Sequence, residues 1–329
     1  MTRFIVQRLL VIPPALLLIH FLGYAYAIVG RWFNATRNPF FAPPEGAAPI
    51  LPEYATYFQQ VIRLDFGKMP GGSVESISGA VIRTGTASLG LLGIVFAISL
   101  IAGLILGLSA VRTQPPGVVG WLIPLSTVSR AMPSFYVGAV FITTTVFYLL
   151  WFARPAAKLF LPLGGYGWDL HLLFPAAALM IRPTMQIAQV TATLLSGELS
   201  KQYVVAARSV GVSWRGVRWK HALRNVAAPI IVAISGSVRL LVGELILVES
   251  LFRWPGLGSL LADTLYAPQI ATIGSPVTGG ALFLYPPVVA AAVTCIAALF
   301  FLVDFAASLL VRVVDPRFRA PESGRGLGR

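Results

Sequence analysis

The most prominent pattern in the sequence is a series of long apolar runs separated by polar, proline-rich or basic segments. A helix that crosses the hydrocarbon core of a bilayer needs about 20 mostly apolar residues, because each residue rises only about 1.5 Å. The pattern predicts six such helices and therefore an all-α transmembrane fold. The predicted spans are residues 9–29, 87–111, 135–152, 172–195, 226–248 and 288–311.

The composition supports a membrane environment. Of the 329 residues, 57% are hydrophobic and only 11% are charged, whereas soluble domains carry about 25% charged residues. The charged residues are too few to cover the water-exposed surface of a soluble protein of this size. We therefore predict an integral membrane protein. Arg3 and Arg8 precede the first apolar run, as in a signal peptide, but the run is too long for one and no clear cleavage site follows.

The distribution of charge predicts the topology. With the N-terminus inside and six alternating spans, the inner segments hold 15 Lys and Arg residues against three acidic ones, and the outer segments hold eight against seven. Nearly all of the net charge of +13 therefore lies on one side, as the positive-inside rule requires for cytoplasmic loops. We expect both termini to be cytoplasmic. Topology accounts for the basic excess, so we expect no nucleic-acid partner.

The chain divides into three predicted parts. Residues 1–85 form the first span and an extracytoplasmic loop, which is rich in proline and glycine and is predicted to contain short helices at most. Residues 86–314 form a five-helix core with a cytoplasmic loop at 198–225, and residues 315–329 form a cytoplasmic tail. No internal repeat is present, which disfavours an inverted-repeat transporter. The single cysteine and the three scattered histidines predict no disulfide and no metal site.

The loop at 198–225 predicts two short helices that are interrupted at Gly211, where a residue without Cβ can adopt a positive φ. Ser213 is placed to cap the second helix. That helix brings Trp214, Val217 and His221 to helical spacing, with basic residues around them. Such a small knob suits docking into a groove of a cytoplasmic partner.

At this loop the sequence resembles the membrane permeases of ABC importers. Their EAA loop, which forms the coupling helix that contacts the ATPase subunit, has the pattern AA-x3-G-x9-H-x-L-x-N, and Val205 replaces its glutamate here, as is usual in the dipeptide and oligopeptide branch. The resemblance implies ATPase-coupling roles for ten residues: Ala206, Ala207, Arg208, Gly211, Trp214, Arg215, Arg218, His221, Leu223 and Asn225.

Other motifs resemble the same branch, and specifically the first of its two permeases. The segment from Glu249 to Gly258 is similar to its VE-x2-F-x-WPGLG run, and shorter motifs at residues 64–67, 132–135 and 315–317 are similar as well. Glu249, Trp254, Pro255, Gly256 and Gly258 are the residues of the periplasmic-edge motif. Its proline and glycines fix a turn, which leaves open a structural role or contact with substrate or a binding protein.

Charges inside the membrane are costly and are functional hypotheses by default. Arg182, Arg239 and Glu244 fall inside predicted spans and could line a substrate path for zwitterionic peptides. Arg239 and Glu244 are five residues apart, so they point in different directions on a helix. Pairing with another helix or with the second permease is the alternative. Asp304, in the last predicted span, could pair across the bundle or cap a cavity.

The resemblance implies a six-span type I ABC importer permease in the inner or plasma membrane, with no enzymatic activity of its own. The expected partners are a second homologous permease, two cytoplasmic ATPase subunits and an extracytoplasmic substrate-binding protein, besides the lipid bilayer. No phosphate-binding loop occurs in this sequence, so ATP and Mg²⁺ are expected on the ATPase subunits and no cofactor on this chain. The expected cargo is a dipeptide or oligopeptide, and the alternative cargo is a nickel chelate, glutathione or a sugar. The alternative class of protein is a membrane-embedded enzyme.

Overall fold

The computed structural model describes residues 2–37, 50–71, 73–151, 162–265 and 282–314. Within these ranges the chain forms eleven α-helices, a 3-10 turn at Leu170–Leu172, a π-helical segment at Val217–Ala222 and one small hairpin. The helices are α1 (Thr2–Arg37), α2 (Ile50–Ile62), α3 (Ile77–Ser109), α4 (Leu122–Ala131), α5 (Ser134–Trp151), α6 (Leu173–Leu199), α7 (Gln202–Ser209), α8 (Trp214–Gly216), α9 (Leu223–Leu251), α10 (Leu257–Leu265) and α11 (Pro286–Val314). The hairpin pairs β1 (Val111–Thr113) with β2 (Pro116–Val118). The fold is thus all-α, as predicted.

In the part of the chain that the structure describes, five helical segments are long and apolar enough to cross a membrane: Ile5–Thr36, Ile77–Ser109, Ser134–Trp151, Trp214–Leu251 and Pro286–Leu310. They coincide with five of the six predicted spans. The remaining predicted span, 172–195, corresponds to α6, which has 27 residues but contains Arg182, Gln186 and Gln189 and is less apolar. Long helices suit a bilayer because they satisfy their backbone hydrogen bonds internally.

Helix α6 is the centre of the bundle and packs against α3, α9, α4 and α5, while α1 packs along α11. Small residues allow the closest approach of α3 and α6. A Cβ atom on Gly103 would lie 2.8 Å from the Cβ of Ile187, and one on Gly107 would lie 2.7 Å from the carbonyl oxygen of Ala188. Glycine is favoured at such helix contacts in membranes because packing must replace the hydrophobic effect there.

The buried apolar residues of the described ranges form four clusters, and two of them lie at opposite ends of the bundle. One cluster gathers Leu91, Leu179, Leu245 and Trp254 from α3, α6, α9 and the segment after α9. The other gathers Leu122, Leu195, Val204 and Val217 around the loop between α6 and α9. Large apolar side chains also cover the outside of the helices, which is the arrangement expected for a lipid-facing surface.

Several elements differ from the predicted segmentation. Helix α3 begins ten residues before the predicted start of the second span, because Ser76 accepts a hydrogen bond from the Gly79 N–H (3.1 Å) and caps a helix there. Helix α2 lies in the predicted extracytoplasmic loop, and α4 and α10 were not predicted. The tail at 315–329, with its motif at 315–317, lies outside the described residues.

Candidate functional site

The loop between α6 and α9 has the predicted break at Gly211. This residue has φ +88°, and its N–H donates to the carbonyl oxygen of Arg208 (3.0 Å) at the end of α7. Ser213 then accepts a hydrogen bond from the Gly216 N–H (3.2 Å) and caps α8. A left-handed glycine followed by a serine cap turns the chain sharply between two helices.

The second helix of the loop is not a separate element, contrary to the prediction. Helix α8 continues through a π-helical segment, Val217–Ala222, directly into α9. The side chain of Val217 is fully buried in the cluster around Leu195, and that of Trp214 is half-buried against it. Val217 therefore faces the bundle instead of a partner, whereas His221 is exposed. The helix turns this face inward because the apolar surface of α6 lies beneath it.

Arg208 and Trp214 join the two halves of the loop across Gly211. The guanidinium carbon of Arg208 lies 4.9 Å from the centre of the Trp214 ring, and Nη1 of Arg208 donates to the carbonyl oxygen of Val212 (2.7 Å). A cation over an aromatic face is attracted by the ring quadrupole. Both residues were predicted to contact the ATPase, and the structure places them in contact with each other.

A polar network anchors the loop to the end of α6. The carboxylate of Glu198 accepts hydrogen bonds from the Tyr203 hydroxyl (3.0 Å) and the Asn225 side-chain amide (2.9 Å), and Lys201 lies 2.5 Å from its second oxygen. Burial and the hydrogen bond to Glu198 raise the pKa of Tyr203 to about 12. Glu198 was not among the predicted site residues. Asn225, predicted as a coupling residue, is here a link between the loop, α6 and α9.

The outward surface of the loop is mixed apolar and basic. Val205, Val210 and Trp219 are exposed by 69%, 79% and 52%. Exposed basic side chains lie beside them. The six residues Val205, Val210, Arg215, Trp219, Lys220 and His221 are named the loop patch below. Among the other predicted coupling residues, one is exposed (Ala206) and three are half-buried (Ala207, Arg218 and Leu223). The apolar members of the loop patch, Val205, Val210 and Trp219, were not among the predicted site residues.

The charged residues within the spans form two ion-pair groups between helices. Arg182 on α6 pairs with Glu244 on α9, which also accepts a hydrogen bond from Ser134. Asp304 on α11 is shared, since Arg239 of α9 and Arg8 of α1 each lie 2.7 Å from one of its oxygens. Arg239 and Glu244 do point to different partners, as their spacing predicted. Pairing with another helix, one of the two alternatives, is the arrangement found.

A cavity of about 840 Å³ opens between α4, α6, α9 and α11. Arg182 and Arg239, both predicted to line a substrate path, contribute to its wall, whereas Glu244 does not. Arg130 at the end of α4 is a third arginine of the wall and was not among the predicted residues. The feature of the sequence that could have identified Arg130 is its position as a basic residue just before the predicted span at 135–152.

The segment after α9 is built around Glu249, whose side chain is fully buried. Its carboxylate accepts hydrogen bonds from the Ser88 hydroxyl (2.7 Å) and from the N–H groups of Gly258 (2.7 Å) and Ser259 (3.3 Å). Trp254 is also fully buried and donates from Nε1 to the carbonyl oxygen of Ala87 (3.2 Å). The carboxylate thus accepts from N–H groups in the first turn of α10, where negative charge is favoured.

Of the motif's other residues, Gly256 and Gly258 leave the space that the Glu249 side chain occupies, since a Cβ on either would overlap its carboxylate. Pro255 lines a small cavity of about 210 Å³ together with Arg83, Arg253 and Asp263. The contacts of Glu249, Gly256 and Gly258 build the turn, whereas contact of the motif with substrate or a binding protein stays a prediction. Elsewhere in the described ranges, no group of three or more His, Cys, Asp or Glu residues comes together to hold a metal ion.

The family is decided by the match of a sequence profile, described as the binding-protein-dependent transport system inner membrane component, to residues 99–320. The chain belongs to this family. It is similar to the dipeptide transport system permease protein DppB of Bacillus subtilis (strain 168), with 26% identity covering 98% of this chain and all of that protein. It is also 26% identical to the oligopeptide transport system permease protein OppB of Haemophilus influenzae, over 80% of this chain and 87% of that one.

The fold agrees with this membership. A solved structure described as inward facing conformations of the MetNI methionine ABC transporter matches with a TM-score of 0.52 and 17% identity. The match covers 71% of this chain and 96% of that one. The chain is therefore a multi-pass inner membrane component and the permease of a binding-protein-dependent ABC importer. It is a transport subunit and not an enzyme, so the alternative of a membrane-embedded enzyme is set aside.

Proposed function

We propose that this chain is the translocating subunit of an ATP-driven importer of dipeptides or oligopeptides. The observation that carries the proposal is the resemblance to permeases of two peptide transport systems, which covers 98% of this chain for DppB and 80% for OppB. An importer of a nickel chelate, glutathione or a sugar by the same machinery is the competing assignment. The cargo of the binding protein that works with this chain decides between them.

The proposed complex contains this chain, a second homologous permease, two ATPase subunits that carry ATP and Mg²⁺, and an extracytoplasmic binding protein. In this arrangement both termini and the loop at 198–225 are cytoplasmic. The concentration of basic residues in the inner segments supports that orientation. The loop patch then faces the cytoplasm, where the ATPase subunits bind.

In the proposed mechanism, closure of the ATPase subunits moves the loop patch, and the bundle alternates between inward-open and outward-open states. Two features of the loop support such transmission. The Glu198 network ties the loop to α6 through Tyr203 and Asn225, and α8 continues without interruption into α9. A push on the patch therefore reaches two helices that line the central cavity. In this proposal the joint between α7 and α8 is formed by the predicted coupling residues Ala206, Ala207, Arg208, Gly211 and Trp214.

Co-purification of the assembled complex from native membranes tests the proposal. The expected result is recovery of two ATPase subunits, a second permease and a peptide-binding protein with the tagged chain. Trp219→Ala should reduce recovery of the ATPase subunits by about tenfold or more, because aromatic anchors dominate the binding energy of interfaces. Trp168→Ala, equally exposed at 52% but at the opposite end of the bundle, is the matched control. Recovery of the chain without ATPase subunits would contradict the proposal.

A further inference from the structure

The wall of the 840 Å³ cavity is unusual in its charge. Its described lining contains three arginines, Arg130, Arg182 and Arg239, and no acidic side chain; the uncharged part includes Thr127, Gln186 and Phe300. Three cations around one cavity repel each other unless anions balance them, and inside a membrane that imbalance is costly. Any compensating negative charge must therefore come from groups outside this lining.

Two carboxylates lie behind the wall and balance only part of the charge. Glu244 pairs with Arg182, and Asp304 is divided between Arg239 and Arg8. Of the three cavity arginines, Arg182 and Arg239 thus contact these carboxylates and Arg130 contacts neither. Within the described ranges, Arg130 has no carboxylate within ion-pair distance, and its guanidinium donates to the neutral side-chain oxygen of Gln189 at 3.4 Å.

The arginines are also held so that they stay at the cavity. Arg182 donates from Nη2 to the carbonyl oxygen of Arg130 (3.2 Å), which places the end of α4 beside α6. Gly236 adds no side chain to the wall beside Arg239, and a Cβ there would make ordinary contacts, 3.6 Å from Nε2 of Gln186 and 3.9 Å from Nη2 of Arg239. Both arginines keep part of their side chain accessible, with 20% exposed for Arg182 and 39% for Arg239.

We propose that this cavity binds the carboxylate group of the transported cargo, with Arg130 as the principal donor and Arg239 as the second. A guanidinium presents paired N–H groups that match a carboxylate, and such charge-assisted hydrogen bonds are short and strong. A volume of about 840 Å³ lies in the range of small-ligand sites and accommodates a short peptide. The inference rests on the proposed function, because it makes the cavity part of the transport path.

The first experiment measures the electrostatic potential of the cavity in the purified full complex, independently of the cargo. Thr127→Cys, in a Cys295→Ala background, is reacted with an anionic methanethiosulfonate and with its trimethylammonium counterpart, and modification of this chain is followed by mass spectrometry. The anionic reagent is expected to react faster. Arg130→Gln should lower the anionic-to-cationic rate ratio roughly fourfold, since one charge about 10 Å away changes each rate about twofold in water. Arg63→Gln, which removes an exposed arginine outside the cavity, should leave the ratio unchanged.

The second experiment tests the ligand. Tri-alanine with a free C-terminal carboxylate should slow labelling of Thr127→Cys by the neutral reagent methyl methanethiosulfonate, whereas tri-alanine amide at the same concentration should not. Arg130→Gln should abolish the difference between the two peptides. Equal protection by both peptides, or by neither, overturns the inference, as does a rate ratio that favours the cationic reagent. The ATPase activity of the same complex, with and without its binding protein, is read in parallel. If the binding protein does not stimulate the ATPase activity of the wild-type complex, the proposed function is contradicted. If it does stimulate that activity but the labelling shows no preference for the free carboxylate, only the inference is contradicted.

Discussion

The backbone N–H of Gly258 donates a 2.7 Å hydrogen bond to the carboxylate of Glu249, nine residues earlier in the chain. This contact closes the turn between α9 and α10 around a fully buried acid. Ser88 joins them from α3, because its hydroxyl donates to Glu249 and accepts from the N–H of Leu257 (2.8 Å). The motif thus fastens three helices at the end of the bundle opposite the loop patch.

Gly256→Ala should destabilise the protein, because the new Cβ would overlap the carboxylate of Glu249. Overpacking of this kind costs about 1–3 kcal/mol, which is expected to lower the unfolding temperature of the detergent-solubilised chain by several degrees. Tryptophan fluorescence during heating measures it. Gly243→Ala is the control, since no atom lies within 4 Å of its added Cβ. Equal unfolding temperatures for the two variants would contradict the packing argument.

Gly211→Ala should weaken the joint between α7 and α8. A left-handed conformation costs a residue with a Cβ about 1–2 kcal/mol, and Gly211 has φ +88°. Asparagine tolerates positive φ better than alanine, so Gly211→Asn should retain most of the function. The measurement is the ATPase activity of the reconstituted complex that is stimulated by its binding protein. If alanine and asparagine behave alike, backbone strain at this position does not govern coupling.

Tyr203 should ionise well above the ordinary tyrosine pKa of about 10, at a pKa of about 12. Because the pKa is raised in the folded state, the neutral hydroxyl contributes stability that is complete below pH 10 and is lost as the pH rises through 12. Resonances of ¹³C-labelled tyrosine ring carbons, assigned with Tyr203→Phe, report the titration. Titration of this residue near pH 10 would show that its buried environment and its hydrogen bond to Glu198 are absent in solution.

Asp304→Asn should reduce the folded yield and the unfolding temperature more than either Arg8→Gln or Arg239→Gln. Removal of the shared carboxylate leaves two cations without it, whereas removal of one arginine leaves an ion pair in place. Loss of an ion pair within a membrane is costly, and Asp304→Asn loses two of them whereas each arginine variant loses one. We expect a difference of several degrees between Asp304→Asn and each arginine variant. Size-exclusion yield and thermal unfolding provide the comparison, and the opposite order would contradict a shared carboxylate.

Sequence by itself determined the features that depend on a few neighbouring residues or on the length of an apolar run. The all-α transmembrane class follows from run length, since only a helix satisfies its backbone within so long an apolar segment. The break at Gly211 and the cap at Ser213 follow from local backbone chemistry. Prediction of the family from the motifs of the loop and the WPGLG segment is confirmed by the match over residues 99–320.

Tertiary structure decided the features that depend on which helix faces which. Arg8 and Asp304 are 296 residues apart, and no local pattern predicts that they meet. The inward orientation of Val217 depends on the apolar surface of α6 against which it packs, whereas helical spacing alone fits either an inward or an outward face. The unbalanced charge of the cavity arises in the same way, because α4, α6 and α9 each bring one arginine to its wall, whereas Glu244 and Asp304 are not part of that wall. Sequence spacing fixes the angle of a side chain around its own helix, and only packing fixes what that side chain meets.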